Sequence, residues 1–279
     1  MSARHFLLPL LLTCASCAWE AGEGFATLEP TARVTFVPLE DREAGAGWQR
    51  LDTDFQALIE AGSLRISRIE LLAGASAGGG GSFDPANPPP GYGNCHGGHC
   101  HRDDGALVSY EEIEAELGGG GAAPAVASLP LGDVDLFAPA ERALTCSPDC
   151  ELPRTELQRM RWPLEALTLE GRVRDGRASP RLAGERPFRV VLPAPAQGAL
   201  ATLEEALALT SDRSEPPQVS LALQLDVTAR LLDGLDWGTA TETDGVLLVD
   251  GERNAALRER LLENLAQLEP RAELQRSDR

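Results

Sequence analysis

The sequence contains no lysine: all 25 of its basic residues are arginine, and they stand against 43 acidic residues. The formal net charge of −18 argues against a nucleic-acid partner, because the phosphates would be repelled. Adsorption of the bare chain on an anionic membrane surface is disfavoured for the same reason. The missing lysine also excludes the phosphate-binding loop that ends in Gly-Lys-Ser or Gly-Lys-Thr. Such a charge balance suits an exported soluble domain or a protein that gathers cations.

Aromatic residues are scarce as well, at 5% of the chain, while hydrophobic residues as a whole make up 43%. A core can therefore form, but it must be built from leucine, valine, alanine and isoleucine. The 279 residues are enough for one large domain or two small ones. The short apolar run at residues 6–12 cannot span a bilayer, which takes about 20 apolar residues.

Histidine is rarer still, with four residues in the whole sequence, three of which stand at positions 96, 99 and 101. The fourth, His5, lies within the first twenty residues, so beyond them every histidine belongs to this cluster. A catalytic serine–histidine pair has no local support elsewhere in the sequence. We therefore predict a binding protein and not an enzyme.

The N-terminus has the parts of an export signal: one positive charge at Arg4, the apolar run, and then Ala15-Ser16-Cys17. This segment resembles a bacterial lipoprotein signal peptide, and the resemblance covers about 20 residues. It implies removal of residues 1–16, lipidation of Cys17 and attachment to the cell envelope. Ala18 and Trp19 follow with no aspartate, which favours the outer membrane, facing the periplasm or the exterior. The alternative is ordinary secretion with cleavage nearby.

With Cys17 lipidated, four cysteines remain in the exported chain, at positions 95, 100, 146 and 150. An oxidising compartment favours disulfides. The simplest pairing joins Cys95 to Cys100 and Cys146 to Cys150. Four cysteines allow three connectivities, so two bridges between the segments remain an alternative.

Most of the hydrophobic pattern alternates with a period of two, which is typical of strands with one buried face. The pattern predicts a mainly β fold, an antiparallel β-sandwich-like domain with a C-terminal helix. Two short helices are also expected, at residues 108–117 and 202–209, because each begins with capping-box spacing. The predicted strands and the C-terminal helix fall at residues 32–39, 63–73, 165–175, 186–193, 218–232 and 254–269.

Glycine and proline interrupt this pattern between residues 74 and 127, which we interpret as a long loop inserted into the β scaffold. The predicted organisation is a signal peptide (1–16), an N-terminal tether (17–30), the domain with its insert (31–269) and a polar tail (270–279).

The insert carries the stretch Asn-Cys-His-Gly-Gly-His-Cys-His-Arg-Asp-Asp-Gly, which begins at residue 94. Imidazole and thiolate are the usual ligands of zinc and copper, and carboxylates can ligate or orient imidazole. With the cysteines oxidised, three imidazoles suited to copper, zinc or nickel remain; with the thiols reduced, a site of two cysteines and two histidines is possible. The candidate metal ligands are His96, His99, His101, Cys95, Cys100, Asp103 and Asp104.

Two other interpretations of the stretch stay open. Cys95, Cys100 and His101 form Cys-x4-Cys-His, which resembles a rarer variant of the haem c attachment motif; it implies covalent haem and electron transfer. The insert could also be a disulfide-braced surface loop in a structural protein that binds another envelope component. The partners expected from the sequence alone are a metal ion, the membrane, through a lipid anchor, and an unknown envelope protein.

Overall fold

The described part of the protein comes from a computed structural model. It consists of residues 26–73, 85, 88, 92–96, 99–102, 107–110, 125–138, 140–152, 156–210 and 217–277. The predicted signal peptide and Cys17 lie outside these ranges, as do Asp103 and Asp104.

Strands dominate the described residues. The strands are β1 (Ala26–Phe36), β2 (Gln49–Arg50), β3 (Phe55–Ala73), β4 (Tyr92–His96), β5 (His99–Arg102), β6 (Leu107–Ser109), β7 (Ala125–Asp135), β8 (Arg142–Ala143), β9 (Glu151–Leu152), β10 (Glu156–Leu164), β11 (Ala166–Asp175), β12 (Arg186–Leu192), β13 (Ala201–Thr210), β14 (Gln218–Val227), β15 (Glu242–Thr243), β16 (Val246–Val249) and β17 (Pro270–Ser277). Among the described residues, the α-helix α1 (Ala255–Leu265) and the 3-10 helices Glu40–Arg42, Ala229–Leu232 and Trp237–Thr239 join them, and Tyr110 is also helical.

Two sheets enclose the main core, which confirms the predicted sandwich-like fold. The smaller sheet has the order β17-β14-β1-β8, with β9 also on β1. The larger sheet has the order β13-β10-β3-β11-β12-β16-β15, with β2 and β7 also on β3. Most pairs are antiparallel, but β1 with β14 and β12 with β16 are parallel. Side chains of both sheets belong to one buried cluster.

Alternation of apolar and polar residues places one face of each main strand in this core. In β14 the five apolar side chains at odd positions are between 0 and 2% exposed: Val219, Leu221, Leu223, Leu225 and Val227. The scarcity of aromatic residues leaves leucine and valine as the bulk of the core, with Trp162 and Trp237 as its largest fully buried side chains.

The helix predicted at residues 202–209 is wrong, because these residues lie in strand β13. Ala201, Leu203, Leu207 and Leu209 are buried, and they follow a period of two and not of 3.6. Pairing with β10 supplies the backbone hydrogen bonds, so the capping-box spacing at Thr202 has no helix to begin.

The polar tail predicted at residues 270–279 is also a strand over most of its length. Strand β17 pairs with β14 from Gln218–Ser277 to Leu225–Pro270. Pro270, which ends the helical pattern as predicted, is therefore also the first residue of an edge strand, a position that proline tolerates. The helix before it is confirmed: Leu257, Leu261 and Leu265 are buried on one face of α1.

Strand β1 begins at Ala26, within the segment predicted as a tether (17–30); residues 17–25 lie outside the described part of the chain. Strand β3 ends at Ala73 and β7 begins at Ala125, which reduces the insert to residues 74–124. Among the helices of the described ranges, none combines the length and apolarity that a bilayer crossing demands.

Candidate metal centre

The cysteine- and histidine-rich part of the insert forms a three-stranded antiparallel sheet of its own, with the order β4-β5-β6. We call this sheet the Cys/His module. Its buried residues are Cys100 and Val108, with Tyr92, Cys95 and Tyr110 packed against them. This cluster is separate from the main core. Of the helix predicted at residues 108–117, with Ser109 as its cap, Val108 and Ser109 lie in strand β6 and Tyr110 is helical; residues 111–117 lie outside the described part of the chain.

Strand alternation sorts the residues of β5 onto two faces. Successive side chains of a strand point to opposite faces, so His99 and His101 share one face. Cys100, between them, belongs to the other face, where it packs with Val108 and Tyr92. Arg102 also lies on that face, with its guanidinium 5.5 Å from the centre of the Tyr92 ring. The module therefore has an apolar, disulfide-bearing back and an imidazole-bearing front.

The register between β4 and β5 brings the third histidine to the same front. His96 pairs directly with His99, whereas Gly93 pairs with His101. One extra residue on β4 accounts for the shift between these pairs, and Asn94 beside it has φ 44°. Asparagine tolerates this left-handed conformation better than most residues. The extra residue sets Cys95 opposite Cys100, and these two cysteines form a disulfide.

The three imidazoles lie close enough to share a metal ion after small movements. Each offers a ring nitrogen, and the three nitrogens lie within 4.8 Å of one another. The ring centres are 4.8, 5.5 and 5.7 Å apart. A point equidistant from three atoms at 4.8 Å spacing lies about 2.8 Å from each, whereas Zn(II) bonds imidazole nitrogen at about 2.0–2.1 Å. A movement of less than about 1 Å by each imidazole nitrogen would bring all three to this bonding distance.

Solvent reaches this site, since His96 is exposed and the other two histidines are half-buried. Within the described ranges, no carboxylate or thiol joins the three imidazoles as a further ligand. From the described residues, a metal held here would receive three nitrogen ligands, which leaves a position for water or an incoming ligand, as in sites that exchange ligands. Leu107, which pairs with His101, is 62% exposed beside the site.

The structure changes the role of the predicted sulfur ligands. Cys95 and Cys100 are bonded to each other, so they brace the two histidine-bearing strands from the back instead of offering thiolates. The same bond leaves neither sulfur free for a thioether to haem. Asp103 and Asp104, the predicted oxygen ligands, lie outside the described residues.

The second disulfide, between Cys146 and Cys150, confirms the simplest predicted pairing and lies apart from the module. Its segment joins the two sheets of the sandwich. The backbone of Ser147 makes two hydrogen bonds with Ser128 at the edge of the larger sheet, of 2.8 and 2.9 Å. The carbonyl of Cys150 accepts a 2.9 Å hydrogen bond from Leu28 in the smaller sheet. This disulfide therefore closes a segment whose backbone is hydrogen-bonded to both sheets.

Two signals in the sequence were not used in the prediction. In a strand, the two histidines of a His-x-His sequence point to the same face, which indicates that His99 and His101 share a face.

Residues 74–78, Gly-Ala-Ser-Ala-Gly, match the Gly-x-Ser-x-Gly pattern of hydrolase nucleophiles, which needs a helix after the serine. Three further glycines follow, at positions 79–81, and disfavour a helix there. The segment lies outside the described residues.

Comparison with known proteins gives no relative from which a function could be transferred. No family model, no curated protein and no solved structure matches the chain. The functional argument therefore rests on the chemistry of the Cys/His module.

Proposed function

We propose that this protein is a lipid-anchored protein of the bacterial cell envelope that binds a divalent transition metal, copper or zinc, through His96, His99 and His101. The observation that carries the proposal is the convergence of three imidazoles on one face of a disulfide-tied sheet. Metal binding, sensing or delivery are the roles that suit such a site. The proposal is for a binding protein and not an enzyme.

Ligand chemistry favours copper as the tighter-binding metal. Imidazole suits both Cu(II) and Zn(II), and nitrogen sites generally bind Cu(II) more tightly. An open position on an exposed face supports exchange of the metal with another molecule more than permanent storage, because an incoming ligand can reach the ion without unfolding the module.

Titration calorimetry at neutral pH tests the metal site. The native protein is expected to bind one Cu(II) ion and, more weakly, one Zn(II) ion, and the triple variant His96→Ala/His99→Ala/His101→Ala is expected to bind neither. The matched control is Leu107→Ala, which removes an exposed side chain beside the site but no ligand atom. Equal binding by the native and triple-variant proteins, or no binding by the native protein, would refute the proposal.

The anchor proposal rests on Cys17 and its resemblance to a lipoprotein signal. Cys17→Ser is expected to release the protein from the membrane fraction of the cells, and Cys14→Ser serves as the control that keeps the anchor. If the Cys17→Ser variant stays attached to the membrane and is processed as the native protein is, Cys17 is not the anchor.

A structural or interaction protein is the second candidate, favoured by one observation. The Cys/His module has its own buried cluster and its own disulfide, so it has the means to hold its shape without a metal. An absence of metal binding with the module intact would favour this candidate, whose partner would be another component of the envelope.

A further inference from the structure

One row of residues runs across the front of the Cys/His module. Gly93 on β4 pairs with His101 on β5, and His101 pairs with Leu107 on β6. Directly opposed residues of neighbouring strands point their side chains to the same face of a sheet. All three positions therefore belong to the imidazole-bearing front.

The two outer positions of this row have opposite shapes. Apart from its chain neighbours, a Cβ atom added to Gly93 would meet nothing within 4 Å, so the front is open there. Leu107 is 62% exposed, more than any other large hydrophobic side chain in the described ranges. The front thus has a notch at Gly93 and an apolar ridge at Leu107, with the imidazole of His101 between them.

This arrangement is complementary to a second copy of itself. When two fronts face each other across a two-fold axis that runs along β5, strand β4 of each copy lies opposite β6 of the other. Leu107 of each copy then lies over Gly93 of the other, and the imidazoles of both copies face each other. An isologous contact requires a patch that matches itself in this way.

The metal site is also incomplete in one copy. Structural Zn(II) sites take four protein ligands, whereas the described residues of one copy supply three imidazoles. Two fronts that face each other bring two such sets together, so that one ion can take four imidazoles. A shared ion therefore gains a ligand from the second copy and joins the two chains.

The contact depends on the ion, because the front is small and the protein is acidic. Three strands about 4.8 Å apart, each about four residues long, cover roughly 200 Å². Stable interfaces bury about 800 Å² on each partner. The net charge of −18 on each chain adds repulsion between copies. Without a metal ion, two copies are expected to stay apart.

We infer that the front of the module docks against the front of a second copy of this chain, with Leu107 of each seated over Gly93 of the other and one metal ion shared by their histidines. The inference rests on the metal site of the proposed function. The shared state forms when ions are fewer than chains. At one ion per chain, each copy keeps its three imidazoles for its own ion, and the pair separates.

The shared state gives a metal ion a route from one copy to the next. Imidazoles of the second copy replace those of the first one at a time, so the ion moves without release into water. This extends the proposed role in metal delivery, because it names another copy of the chain as a molecule that receives the ion.

Sedimentation equilibrium of the full protein, in a detergent matched to the density of the solvent, tests the docking. Zn(II) is the probe, because it has no redox chemistry. The mass is expected to be that of one chain without metal and to approach that of two chains at half an equivalent of Zn(II). It is expected to return to one chain with several equivalents of Zn(II) or with EDTA.

Three variants that keep every ligand atom test the contact. Gly93→Leu fills the notch and is expected to weaken dimerisation at least about tenfold, because the leucine of the second copy then clashes. Leu107→Ala, which demands nothing of the backbone, is expected to weaken it about fivefold, because covered apolar area is lost. Phe137→Ala is the matched control, since it removes the other exposed large hydrophobic side chain of the described ranges, and it should leave dimerisation unchanged.

Calorimetry with Zn(II) on the same proteins separates failure of this inference from failure of the metal site. Zinc binding by the native protein without a dimer at half an equivalent overturns the inference alone. A dimer that persists in EDTA, or one that forms equally well in Gly93→Leu and Leu107→Ala, overturns it too. If the native protein binds no zinc, the proposed metal site is refuted, and this inference with it.

Discussion

At the scale of single residues, Asp175 shows how a buried charge is held in this fold. Its side chain is fully buried, and it accepts backbone hydrogen bonds from Arg177 at 3.0 Å and Arg181 at 2.7 Å. The Arg177 guanidinium lies 2.9 Å away. Burial raises the pKa of Asp175, but these donors and the positive charge together outweigh it and lower the pKa. The ionised form therefore stabilises the fold at neutral pH.

The variant Asp175→Asn is expected to reduce the free energy of unfolding at pH 7 by about 1–3 kcal/mol, because the hydrogen bonds to a charged group are weakened. A lowered pKa gives stability above the pKa of the unfolded chain, near 3.9, and that stability is lost as the pH falls through the folded value. Urea unfolding at pH 7 and at about pH 3 measures this effect. The free energy of unfolding of Asp175→Asn should differ less from that of the native protein at pH 3 than at pH 7. Asp244→Asn, at an exposed position, is the control; a difference independent of pH would contradict the account.

At the scale of elements, the sequence predicted those strands whose alternation is uninterrupted, β14 above all. It failed where a local signal competed with that alternation: the capping-box spacing of Thr202 in β13, and the polarity of the last residues, which form the edge strand β17. Both segments are strands because a neighbouring strand forms backbone hydrogen bonds with them. Which strand will pair with a segment cannot be deduced from the sequence of that segment alone.

The two disulfides are expected to have separable roles. Cys95→Ala/Cys100→Ala should weaken Cu(II) binding on the order of tenfold, because the strands that carry His96 and His99 lose their preorganisation. Cys146→Ala/Cys150→Ala should leave copper binding unchanged but lower the free energy of unfolding by about 2 kcal/mol, the chain-entropy value for so short a loop.

Copper titration and urea unfolding of both variants make the comparison, with each pair serving as the control for the other. Weakened copper binding in the variant without Cys146 and Cys150, or unaltered binding in the variant without Cys95 and Cys100, would contradict this division.

At the scale of the whole molecule, the sandwich serves as a scaffold that an insert interrupts. Composition predicted the insert and its cluster of ligands, since glycine and proline mark its limits and three histidines stand together. It could not predict that His96 faces His99, because that register depends on the extra residue beside Asn94 and on the pairing of Cys95 with Cys100.

Replacement of residues 74–124 by a short glycine–serine linker is expected to leave the sandwich folded. Leu72 and Ala125 already pair as neighbours, and the buried cluster of the module is separate from the main core. Thermal unfolding of the shortened protein should remain cooperative, with a midpoint within a few degrees of the native value, while metal binding disappears. A chain that fails to fold would show that the insert is part of the scaffold.

The most direct test of the central claim is pulsed electron paramagnetic resonance of the protein loaded with one equivalent of Cu(II), because the modulation of the echo reports how many imidazoles coordinate the ion. The account predicts three coordinated imidazoles, and it predicts two in each of the single variants His96→Ala, His99→Ala and His101→Ala. A signal from one imidazole or none in the native protein, or a signal that none of these substitutions changes, would contradict it.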